Sequence, residues 1–168
     1  MKTLKLQLVA VVLAIGLAVG VAAQAPIASG QGTNVLEFST MAPVTGPFVG
    51  TANPIRGING GGLPWRIAEG NGELGADGRL VVHVQGLVLA AGLTAGTNPL
   101  PDFKAIVSCL SIGDANTATI VNVSTGTFPA TTTGNGEIET QVSLPHPCIA
   151  PIVFVTSSGG SWFASTGR

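Results

Sequence analysis

The chain has 168 residues, of which 45% are apolar, 9% charged and 5% aromatic. That length predicts one domain. The charged fraction lies far below the roughly 25% of an average soluble chain, while the ordinary apolar fraction excludes a highly charged disordered polymer.

The first segment, Met1 to Ala23, reads as a secretory signal peptide. Lys2 and Lys5 form a positive start, Leu8 to Ala23 is an unbroken run of apolar residues and glycine, and Val21-Ala22-Ala23 supplies the small residues that a signal peptidase accepts. A cut after Ala25 would set Pro26 at the first mature position, a poor substrate. The rival reading is a membrane anchor, but a spanning helix needs about 20 apolar residues, and the run is shorter. The first cysteine is Cys109, so no lipobox follows the leader. Residues 24–168 keep five Lys and Arg against eight Asp and Glu, a net charge of −3. That balance argues against nucleic acid, whose phosphates call for a basic patch. Without the leader, no span remains to cross a membrane.

About two-fifths of the mature chain is Gly, Pro, Ser or Thr, which suits short strands joined by tight turns. Residues 24–32 read as a flexible mature N-terminus, and 33–168 as a single β domain. Val35–Phe38 begins the first strand, and Pro47–Gly50 reads as a second short one. The segment NPIRGINGGGLP, 53–64, reads as a Gly-rich loop, and Trp65–Ala68 resumes strand character. Asp77-Gly78 marks a two-residue hairpin turn. Arg79–Ala90 is the strongest strand, with Leu80, Val82 and Val84 on one face and Val81, His83 and Gln85 on the other. Gly86 inside it marks a bulge or a close backbone approach. Residues 91–102 form a loop. Phe103–Ile112 is apolar on both faces and reads as a central strand. Ala118–Ser124 follows, then a Thr-rich edge or loop containing Pro129, then an Asn135-Gly136 turn. Glu137–Leu144 alternates, with Ile138, Val142 and Leu144 opposite Glu137, Glu139, Gln141 and Ser143. Ile152–Val155 and Trp162–Ala164 close the chain. Eight to ten strands and no helix predict an antiparallel β-sandwich of immunoglobulin-like or jelly-roll style, with a small closed barrel as the alternative.

An exported chain with two cysteines pairs them. A Cys109–Cys148 bridge closes a loop of about 40 residues, worth about 3–4 kcal/mol in the chain-entropy model. The rival is a metal site built from Cys109, Cys148, His146 and His83. His146-Pro147-Cys148 places two soft ligands two residues apart, yet it lacks the paired spacing of a zinc motif. His83 on its alternating strand reads as a solvent-face histidine, and His146 between two prolines as a turn residue. A secreted metal-binding protein or hydrolase using His83 and His146 is the competing class. Glu137 and Glu139 share a strand face about 6.5–7 Å apart, a spacing compatible with glycoside hydrolysis. The alternative is a wetted strand face. Glu69, Glu73 and Asp77 near Asn71 lack the pattern of a calcium loop. Gly60, Gly61 and Gly62 lack the following helix of a phosphate site and read as loop glycines. Asn122-Val123-Ser124 is a formal glycosylation sequon. Trp65 and Trp162 are candidate stacking surfaces for a sugar or peptide, against a place in the core. Arg56 and Arg66 flank the Gly-rich segment as candidate anion contacts, against surface charge. No cofactor motif is present, whether P-loop, GxGxxG, GxSxG or HExxH.

The stretches GGGLPWRI, GELGADGRLVVHVQGLVL, FKAIVSCL and SLPHPCIAPIVFVTSSGGSWFASTG resemble those of a group of small exported bacterial β-rich proteins without assigned function. The resemblance spans roughly residues 53–168. It implies a secreted β domain with paired cysteines and carries no catalytic residue across. The GLVL strand is also similar to one in CHRD-type extracellular modules, whose histidine pattern is missing here. These readings converge on an exported, disulfide-stapled module that binds or supports an extracellular or cell-surface partner without catalysis.

Overall fold

The structure, a computed structural model, describes residues 33–166. The leader read at Met1–Ala23 and the segment 24–32 lie outside the described residues. The described chain is all-β, with two short 3₁₀ turns and no α-helix. In chain order the strands are β1 (Asn34–Phe38), β2 (Ala42–Pro43), β3 (Trp65–Arg66), β4 (Glu69–Gly75), β5 (Arg79–Gln85), β6 (Val88–Leu89), β7 (Asp102–Ile112), β8 (Ala118–Pro129), β9 (Gly136–Gln141), β10 (Ile149–Thr156) and β11 (Trp162–Ser165).

Two antiparallel sheets face each other as a sandwich, without closing into a barrel. The first has the order β1-β4-β5-β9 and the second β2-β11-β10-β7-β8; β3 and β6 form a separate ladder. The faces follow the alternation of the sequence. Leu80, Val82, Val84 and Ile138 of the first sheet meet Phe103, Ala105, Val107, Val153 and Val155 of the second in one buried cluster. β7 lies between β10 and β8; its residues Phe103, Ala105 and Val107 face the first sheet, and Ile106 on the opposite face is buried as well, which is why the strand is apolar on both faces. Phe163 falls out of register between Trp162 and Ala164 where β11 pairs with β10. Its ring turns inward to stack on Trp65 at 4.1 Å and to approach Phe103 at 6.4 Å.

The turns differ in detail from those expected. The β4–β5 hairpin has a three-residue loop, Ala76-Asp77-Gly78, rather than two, closed by the Gly78 amide on the Gly75 carbonyl at 2.9 Å. Gly78 takes the left-handed conformation at φ +91, as such loops require. In the turn before β9 the left-handed glycine is Gly134, not Gly136. Pro47–Gly50 is not a strand: Gly46–Phe48 is a 3₁₀ turn, because Pro47 cannot donate to a ladder and fits the first turn of a helix. Gly86 separates β5 from β6 at φ +63, and a Cβ there would sit 2.9 Å from that of Ala68. The fully buried Asn98 anchors the 90–101 loop, accepting from the Leu100 amide and donating to the carbonyls of Leu100 and Thr131.

The Gly-rich segment is ordered and forms a cover on the outward side of the second sheet. Its residues 59–61 run beside Trp162: the Trp162 amide donates to Asn59, and the Gly61 amide to Trp162, both at 2.9 Å. Gly60 has no room for a side chain, since a Cβ would fall 1.9 Å from the Phe48 carbonyl oxygen. Under this cover Ile106, Phe154 and Trp162 form a thin second apolar layer, with Phe48 and Phe154 rings within 6.4 and 6.0 Å of Trp162.

Candidate functional site

Cys109 and Cys148 are joined in a disulfide with a Cα–Cα distance of 4.9 Å. Cys109 points inward from the middle of β7 and is fully buried. Cys148 leads into β10 just before the Ile149–Leu110 pair. The bridge therefore staples two neighbouring strands of one sheet. With both sulfurs bonded to each other, the set of Cys109, Cys148, His83 and His146 has no thiolate to offer a metal. Among the described residues no group of three or more His, Cys, Asp and Glu side chains stands close enough to hold one.

Four residues were candidate contacts for a ligand. Trp65 and Trp162 are 3% and 2% exposed, so neither ring presents a face to a sugar or peptide. Trp65 stacks on Phe163, and Trp162 fills the layer beneath the cover. Arg56 acts as a pin. It sits at φ +48, and its guanidinium donates to the backbone carbonyls of Ser108 at 2.8 Å and Ala150 at 2.7 Å. Asn122 Nδ2 returns a bond to the Arg56 carbonyl at 3.1 Å, so the sequon asparagine is also part of the pin. Partial burial holds the Arg56 guanidinium below its ordinary pKa. Arg66 is exposed at the mouth of a shallow groove with Ile67, Gly86, Gly96 and Thr133.

The main polar surface is the outward face of the first sheet. Register places Glu37, Glu73, Val81 and Glu139 in one row across β1, β4, β5 and β9, and Asn71, His83 and Glu137 in the next. Glu69 shares the same face. All five glutamates of the chain thus leave one side of one sheet. Arg79 sits among them, bonded to Glu73 and, at 3.1 Å, to Glu139. Its pKa is raised by the hydrogen bond to Glu139 first and that to Glu73 second. His83 Nδ1 lies 3.7 Å from Glu137 Oε1. An open groove of about 650 Å³ runs between Glu37, Phe38, Asn71, Glu73 and His83. Its floor is at Gly72, where a Cβ would meet the Val81 carbonyl oxygen at 2.1 Å and the Phe38 ring at 2.7 Å. Glu137 and Glu139 occupy the edge strand of this face with their side chains 64% and 62% exposed. They stand in water on the open side of the sheet.

Composition and motif reading missed this face as a unit, because its glutamates come from three separate strands and only the register unites them. It also missed the cover pin, since a lone arginine in a glycine-rich stretch carries no pattern.

No family model, curated protein or solved structure matches the chain.

Proposed function

We propose that this chain is an exported, non-catalytic binding or structural module of the cell surface or extracellular space. The Cys109–Cys148 disulfide carries the reading, because such bonds persist in oxidising compartments and are rare in the cytosol. The leader pattern at Met1–Ala23 agrees with it, as does the resemblance to small exported bacterial proteins. The polar chemistry of the surface fits contact rather than turnover. His83 and its carboxylate partner lie on an open sheet face, where water competes for every proton, while catalytic acid–base pairs work in sites that limit such access. The partner such a face would suit is cationic or hydroxyl-rich, since glutamate, asparagine and histidine line it.

The test is the intact mass of the protein recovered from outside expressing cells, with and without reductant and chelator. A mass equal to residues 24–168 less two hydrogens supports the reading. A chain retained inside the cell with its leader, or one with free thiols and a chelatable metal, overturns it.

A further inference from the structure

We propose that the Cys109–Cys148 disulfide and the Arg56 pin form one lock, so that reducing the bridge releases the cover from the outer face of the second sheet. Only a thiol–disulfide change is needed, wherever the chain resides.

Both ties meet at one irregularity. Ile149 pairs with Leu110 and Ile152 with Ser108, so Ala150 and Pro151 stand opposite Cys109 alone, as a bulge in β10. Pro151 has no N–H to give the ladder, and Ala150 is held at φ +45. The disulfide ties this stretch to β7 from the inner face, where Cys109 points. The Arg56 guanidinium ties it from the outer face, bonded to the Ser108 carbonyl on β7 and to the Ala150 carbonyl on β10. Each acceptor therefore lies within two residues of a bridged cysteine.

The bridge decides where the second acceptor sits. The backbone of 143–148 makes no backbone hydrogen bond among the described residues, and Pro145 and Pro147 remove two of its donors. Apart from the packing of Leu144 against the core, the disulfide is what holds the approach to β10 in place. Without it the Ala150 carbonyl loses its fixed position, and Arg56 loses one of its two partners.

The cover depends on that partner. Ile55 and Ile58 exchange both backbone bonds around a two-residue turn, whose central residues Arg56 and Gly57 lie at φ +48 and +79. The pin thus holds the tip of the cover in a conformation that an L side chain resists. Closure also leaves the Ser108 hydroxyl and the Trp162 indole N–H buried without a hydrogen-bond partner among the described residues, at the cost of their desolvation. A segment carrying strain above and orphaned polar groups below opens locally once its anchor weakens.

A small dithiol supplies the two electrons. Its thiolate attacks the Cys148 sulfur, which is only partly buried, and the S–S bond breaks with Cys109 leaving as a thiolate that takes up a proton. The second thiol of the reductant then displaces Cys148 from the mixed disulfide, leaving two cysteine thiols and an oxidised, disulfide-bonded reductant.

The test is hydrogen exchange of residues 24–168, with the disulfide intact and after equilibration with dithiothreitol, below the melting temperature of the reduced chain. The Gly60, Gly61 and Trp162 amides, which bond within and beneath the cover, should exchange on the order of tenfold faster after reduction, with β5 amides unchanged. Coupling of this kind is reciprocal, so Arg56→Ala should shift the dithiothreitol equilibrium toward the dithiol chain by a similar factor. Gly72→Ala, which strains the other sheet, should leave that equilibrium where it is. Cover amides that ignore reduction, or that quicken only in step with β5, overturn the proposal. So does an Arg56→Ala equilibrium identical to that of the wild type, or an equal shift in Gly72→Ala, the mark of a reduced chain that unfolds as a whole.

Discussion

Arg56 Nη2 donates to the Ala150 carbonyl at 2.7 Å, and both residues are non-glycine positions held in the left-handed region, at φ +48 and +45. A side-chain Cβ makes that conformation costly, by about 1–2 kcal/mol per residue. The bond therefore joins two strained points of the backbone, one in the cover and one at the start of β10. Strain of this kind persists where surrounding contacts over-determine it.

Replacing Arg56 separates the two contributions. Arg56→Ala loses both charge-assisted bonds and keeps the unfavourable φ, so it should cost about 2–3 kcal/mol. Arg56→Gly loses the same bonds but adopts the left-handed conformation freely, and should be about 1 kcal/mol less harmful. Urea denaturation measures the order. In both variants the Gly61 and Trp162 amides should exchange faster as the cover loosens. Equal losses would show that φ at this position contributes nothing.

The disulfide predicts a second set of numbers. Cys109→Ala with Cys148→Ala removes the staple between β7 and β10 and leaves Cys109's site in the buried core. Stability should fall by about 2–5 kcal/mol. Wild-type protein melted in reductant should match the double variant, and a Tm unmoved by reductant would contradict the assignment.

Two glycines should respond in opposite ways to alanine. At Gly72 the new methyl would meet the Val81 carbonyl, which is backbone and cannot swing aside. Overpacking of that sort costs about 1–3 kcal/mol. At Gly62 nothing lies within 4 Å and φ is not positive. Gly62→Ala should be neutral or gain about 0.5 kcal/mol by restricting the unfolded chain. Chemical denaturation of the pair checks the contrast.

Arg79 ties Glu73 to Glu139 on a face in contact with water. Screening governs such ties, with a Debye length of about 30 Å at 0.01 M salt and about 3 Å at 1 M. Arg79→Met should lower Tm at low salt, where five glutamates lose their central cation, and the difference should shrink as salt rises. A difference independent of salt would mean that Arg79 acts through packing.

The parts of the fold legible from the sequence are those in which one strand's own residues report its surroundings. Leu80, Val82 and Val84 alternate because one face of β5 is buried, and 103–109 carries apolar residues on both faces because the middle of β7 is buried on both sides. β4 is different. Its sequence, EGNGELG, holds three glycines and a single apolar residue, yet it is a full strand. Gly70 yields to the Met41 side chain and Gly72 to the Phe38 ring, so its composition records neighbours brought by tertiary structure. The same holds for the cover. Gly60 and Arg56 are dictated by Phe48, Ser108 and Ala150, which lie elsewhere in the chain. Of the candidate site, the outward glutamates of β9 were visible as alternation. Their union with Glu37, Glu69 and Glu73 depends on strand order, which no single segment encodes.

The two long loops differ in what they would accept from protein engineering. At 91–96 the chain stands clear of the sandwich, with Leu93 wholly in solvent and Asn98 holding the exit in place. An epitope grafted there, or new termini opened by circular permutation, should leave both sheets undisturbed. The segment 56–61 offers no such freedom. It is threaded between Phe48 and Trp162 and locked at Arg56, so even one added residue there would strip the roof from Ile106 and Phe154 and expose a greasy surface.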